Sequence, residues 1–189
     1  MSTPMIILVA GIAIVLLILI SMYNGLIRKK NEVDNAFGGI DVQLKKRYDL
    51  IPNLIATVKQ YMTHEKELLT KVTELRSKAV EGNLSNEEKV DVDNQITHAV
   101  KGIMVAVENY PDLKANENFL NLQRTMNEVE SQISAARRTF NSVVTDYNNG
   151  IQTFPGNMMA GMMGLKSKTV FEIPDVEREN VNAADLFKG

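Results

Sequence analysis

The chain has 189 residues, 44% hydrophobic and 23% charged, with 21 Lys and Arg against 23 Asp and Glu and a formal net charge of -2. Cysteine is absent and only two histidines occur, so disulfides, thiolate nucleophiles, cysteine-ligated metals and histidine-rich metal sites are excluded. The near balance of charge argues against a nucleic-acid partner, which needs a basic excess to neutralise phosphates, and the length suits one globular domain plus an anchor.

No charged side chain occurs from Met1 to Ile27, and the 18 residues from Met5 to Met22 are dominated by Ile, Leu, Val and Ala. At 1.5 Å per residue that stretch is about 27 Å long, and its neighbours complete a bilayer crossing. A soluble core helix of this length carries a polar stripe. A cleaved signal peptide wants a basic start and small residues at its end, but the chain opens Met1-Ser2-Thr3-Pro4 and the stretch closes Ser21-Met22-Tyr23-Asn24. Residues 1–27 therefore read as a single-pass anchor in the cell membrane. Arg28-Lys29-Lys30 follow at once, which by the positive-inside rule puts the N-terminus outside and the C-terminal domain in the cytoplasm.

Val33, Phe37, Ile40, Leu44, Arg47, Ile51, Leu54, Val58, Tyr61, Glu65, Leu68, Val72, Leu75 and Ala79 then recur at alternating steps of four and three, the rhythm of a helix packed along a coiled-coil seam. Pro52 cannot donate to the carbonyl of Tyr48, so the helix is expected to kink or break there, giving two collinear or bent pieces. After the turn residues 81–86, Ser85 and Glu88 have capping-box spacing. The next stripe is Val92, Ile96, Ala99, Ile103, Ala106 and Tyr110, stopped by Pro111. Asn116 reads as the cap of the last stripe, Phe119, Leu122, Met126, Val129, Ile133, Ala136, Phe140, Val143 and Tyr147, with Asn148-Asn149-Gly150 as its stop. The spacing predicts helices at about 26–50, 53–80, 86–109 and 117–149. The fold class is all-α: a transmembrane helix followed by an antiparallel bundle of three or four long helices over 28–155. Residues 156–189 read as a Met- and Gly-rich segment followed by an acidic tail.

No catalytic pattern survives inspection. His64-Glu65 opens like a zinc-protease motif but has no second histidine at the required spacing, and the glycines after Pro155 precede no Gly-Lys-Ser/Thr. No cofactor is implied. The polar residues worth following are those a heptad would bury, Arg47 and Glu65, since a buried charge is costly unless paired. With Asp49, Asn53 and His64 they form one candidate polar network. Arg137, Arg138, Asn141, Tyr147 and Asn148 form a second, able to clamp an anionic partner or to satisfy backbone carbonyls. Met158, Met159, Met162 and Met163 make an adaptable apolar surface, read as membrane-proximal or partner-facing.

Three runs carry a family resemblance. Asn35-Ala36-Phe37 with residues 40–54 (Ile40 to Leu54), then Tyr110 to Phe119 with Leu122-Gln123, then Arg137 to Asn141 with Asp146-Tyr147-Asn148, Ile151 and Phe154-Pro155, resemble in order and spacing the signatures of the bacterial LemA family. The resemblance implies one N-terminal membrane helix, a cytoplasmic helical bundle and no established enzymatic activity. Relatives of this kind occur beside membrane metalloproteases, and one branch serves magnetosome biogenesis. The chain departs from the usual pattern at Phe37-Gly38-Gly39, where two adjacent glycines weaken a helix by about 2 kcal/mol and suggest a hinge. The expected function is a membrane-anchored scaffold or adaptor, with the bilayer, a second copy of the chain, or a membrane protein such as a membrane protease as partners. The alternative is a ligand-binding protein or hydrolase using a polar cleft near Arg47, His64 and Glu65.

Overall fold

A computed structural model describes residues 2–81 and 84–171. Within them the chain is all-α, with six helices: α1 (Thr3–Val58), α2 (Lys66–Glu81), α3 (Asn86–Val107), α4 (Pro111–Lys114), α5 (Glu117–Gln152) and α6 (Gly156–Met162). The sequence reading of three or four is exceeded because α4 and α6 are too short to show a stripe. Gly82 and Asn83 of the predicted 81–86 turn, and the acidic tail beyond Phe171, lie outside the described residues.

The chain divides into two compact units, one made from its two ends, up to Lys30 and from Phe140, and the other from Asn31–Thr139. In the first, the N-terminal part of α1 has an 18-residue window of mean hydropathy 3.2, none of it covered by the rest of the chain. An uncovered apolar helix of that length is long enough to cross a bilayer, and it anchors the chain to the membrane.

In the second unit the expected break at Pro52 does not occur. α1 runs through it to Val58, and the turn falls at 59–65. The reason lies on another helix: the Tyr48 carbonyl that Pro52 leaves without a donor accepts a hydrogen bond from Arg76 Nε of α2 at 3.0 Å. Around the turn the buried positions slip by one residue, and the predicted rhythm resumes at Val72 and Leu75. Met62 and Leu69 are buried where the uninterrupted heptad would have put Tyr61 and Leu68, and Glu65 is only half-buried. On the later helices the same one-residue slip buries Val107 rather than Ala106 and, in the other unit, Val144 rather than Val143.

Side-chain pairs set the helix directions. Asp41–Lys89 and Arg47–Thr97 advance together, so α1 and α3 run parallel. Arg47–Glu130 and Tyr61–Asn116 advance oppositely, so α5 runs antiparallel to α1. α3 begins with the expected box: Ser85 N donates to Glu88 Oε2 at 2.8 Å and Glu88 N to Ser85 Oγ at 3.2 Å. The backbone N–H of Ser85, and then its side chain, hold the Glu88 carboxyl below the usual carboxylate range. Asn116 caps α5 by accepting from Phe119 N at 3.1 Å. On the surface, Asp41 engages Lys89 of α3, and Lys45 pairs with Asp49 one turn on.

Candidate functional site

The most elaborate polar arrangement lies inside the Asn31–Thr139 unit. Arg47 falls on the apolar seam of α1, so its guanidinium enters the core, where its side chain is 6% exposed. There Nη1 donates to Asp93 Oδ1 at 2.8 Å and to Thr97 Oγ1 at 2.9 Å, while Nη2 donates to Glu130 of α5. Asp93, fully buried, also accepts from Arg137 Nη2 at 2.9 Å, and the same nitrogen reaches Asn94 Oδ1 at 3.2 Å. Two guanidiniums thus meet two carboxylates, with Asp93 bridging the arginines. The set is charge-balanced and joins α1, α3 and α5 through side chains more than forty residues apart in sequence. Such a network specifies the register of its helices more than it adds net stability.

Tyr48, the next residue on α1, is buried, and its hydroxyl has no hydrogen-bond partner among the described residues. Burial pushes its phenol above the usual tyrosine value, and the Asp93 charge adds to the shift. Replacing it, Tyr48→Phe, removes an unsatisfied hydroxyl and is expected to raise the unfolding free energy by about 1 kcal/mol. The pH dependence has a definite sign. Because the folded chain keeps this phenol protonated to higher pH than the unfolded chain, its contribution is complete below the ordinary value of 10.0 and is lost progressively above it. Urea midpoints of parent and variant should therefore diverge further above about pH 10 than at neutral pH. Equal divergence at both would show that Tyr48 does not titrate in this way.

Arg47 and Arg137 are brought into one cluster, joined by Asp93, Glu130, Thr97 and Asn94. The other members of the sequence-derived networks lie elsewhere. Asp49 is exposed beside Lys45, Asn53, His64 and Arg138 are exposed, and Glu65 sits in the 59–65 turn. In the unit made from the chain ends, Asn141, Tyr147 and Asn148 hold the segment that returns along α5. Asn141 exchanges two 2.8 Å hydrogen bonds with the backbone of Phe171, Asn148 does the same with Lys168 at 2.8 and 3.0 Å, and Tyr147 Oη donates to Lys166 O at 3.0 Å. Met158 and Met162 are exposed, whereas Met159 and Met163 are half-buried.

A concavity of about 490 Å³ lies where α1 turns into α2. Ile55, Met62 and Leu69 line it, with Lys59, Lys66 and Glu74. Thr63, Thr70 and Thr73 line it as well, and the hydroxyls of Thr70 and Thr73 donate to the backbone carbonyls of Lys66 and Leu69. Among the described residues no three His, Asp or Glu side chains are grouped to hold a metal.

The sequence profile of the LemA family matches residues 36–184. The chain belongs to the LemA family. The match takes in Arg47, Asp93, Glu130 and Arg137, so the ion cluster lies wholly within the family region. This LemA-family chain is 29% identical over 163 residues to "Protein LemA" of Metamycoplasma hominis, covering 86% of this chain and 74% of that one. It is also similar to magnetosome protein MamQ 2 of Paramagnetospirillum magneticum, 20% identical over 193 residues with 89% and 71% covered. Magnetosome protein MamQ of Magnetospirillum gryphiswaldense is 19% identical over 178 residues, with 81% and 65% covered.

Proposed function

We propose that this chain is a non-enzymatic scaffold, held at the cell membrane by α1 with its bundle in the cytoplasm, that assembles with a second copy or with another membrane protein. The observation that carries this reading is the internal closure of the ion cluster. Arg47, the charge best placed to receive a ligand, donates to Asp93, Thr97 and Glu130 and has its charge matched within the bundle. Its role is to lock three helices in register, which suits a rigid surface offered to a partner. The alternative, a ligand-binding protein or hydrolase near Arg47, His64 and Glu65, gains no support from geometry, since Arg47 is enclosed and His64 is exposed. Arg28-Lys29-Lys30 support the cytoplasmic placement.

One experiment tests both parts. A membrane-impermeant lysine crosslinker should link nothing to the bundle in intact cells. In opened membranes it should give reproducible links to a partner or between identical peptides of two copies. Links in intact cells would reverse the orientation, and links confined to single chains would overturn the scaffold.

A further inference from the structure

In the unit made from the chain ends, residues 3–21 of α1 are exposed throughout and cover begins at Met22, with Leu26 buried. Nineteen bare residues at 1.5 Å each span about 28 Å, close to the thickness of a bilayer's hydrocarbon. The rest of this unit meets α1 where that bare stretch ends. A Cβ on Gly150 of α5 would lie 3.1 Å from Lys29 Cδ and 3.5 Å from Leu26 Cδ2, which is why glycine stands there and why the helix continues past the expected stop. α6 folds back against this point, since a Cβ on Gly156 would run into the Gly150 carbonyl. After Gly164, whose φ of 65° is a glycine conformation, residues 166–171 return along α5. Phe154 and α6 therefore form a tip at the membrane end of α5.

That tip is apolar on its outside. Phe154 is 80% exposed, and Met158 and Met162, four apart on one face of α6, are 67% and 85% exposed. The described residues of this unit carry five bases, Arg28, Lys29, Lys30, Lys166 and Lys168, against the single acid Asp146. Exposed Phe and Met beside a basic collar, level with the end of a spanning helix, match the apolar-below, anionic-above profile of a lipid interface. We propose that Phe154, Met158 and Met162 insert into the boundary of the bilayer that α1 crosses, giving the chain a second membrane contact 130 residues after the first.

The chain contains no tryptophan, so a single introduced one reports alone. Met158→Trp and, separately, Met162→Trp would be made in the full chain and reconstituted into phosphatidylcholine–phosphatidylglycerol vesicles, with Val105→Trp as the exposed control. Both tip variants should emit to the blue of the control and lose about half their intensity or more when lipids brominated near the headgroup end of the acyl chain are used. Water-like, unquenched emission overturns the proposal. So does a blue-shifted but unquenched signal, which would show the face covered by protein.

Discussion

Asp93→Ala should cost about 3–5 kcal/mol of stability, the range for leaving a buried charge without its partner. Asp93 contacts both arginines, and it is wholly buried. Without it, the enclosed Arg47 guanidinium is left with one carboxylate, that of Glu130, whose own side chain is 43% exposed. Arg137 retains partial exposure, 25% of its side chain, and turns part of its charge to solvent. Arg47 has no such exit. The double variant Arg47→Met/Asp93→Ala restores charge balance, with Arg137 against Glu130, and fills the vacated stem volume with an apolar side chain. It should therefore lose less than the sum of the two single losses, by about 1–3 kcal/mol of coupling. Urea unfolding of the full chain in mild detergent, followed by circular dichroism, measures all three. A single-variant loss below about 1 kcal/mol, or strict additivity, would mean that water or a relaxed geometry already solvates the cluster.

The sequence made the helices, the anchor and the Ser85–Glu88 cap legible because each is a local pattern. A run of uncharged residues, a four-three rhythm and a three-residue capping interval need no knowledge of distant chain. What it hid was non-local. The survival of α1 through Pro52 depends on Arg76, 28 positions from the carbonyl it satisfies. The phase slip from Tyr61 to Met62 depends on a turn that lacks glycine and proline alike. Arg47 and Arg137 were visible as polar residues in buried or crowded positions. Asp93 stands beside the apolar stripe of α3, outside the positions that the four-three rhythm marks as core. A usable signal did exist: an arginine on a seam demands acids flanking other stripes, and Asp93 next to Val92 and Glu130 next to Val129 satisfy that demand.

Gly38→Ala/Gly39→Ala should stabilise the chain by about 2 kcal/mol, since each glycine in a helix interior costs about 1 kcal/mol relative to alanine. The two lie inside an uninterrupted α1, so the hinge their sequence suggests is not present as a break. Both are exposed, and a Cβ added at either meets nothing within 4 Å, so packing within the chain gives no reason for glycine. They lie between the buried Phe37 and Ile40, which the substitutions leave in place. Two adjacent open positions present bare helix backbone, the surface that lets a second helix approach closely in a scaffold. Stability and assembly should therefore move in opposite directions: a higher urea midpoint in detergent, with fewer crosslinks to a partner or second copy in opened membranes. A gain in stability with crosslinks unchanged would leave the glycines without a role in assembly. A loss of stability would show that α1 bends at this point, with a backbone geometry that alanine cannot follow.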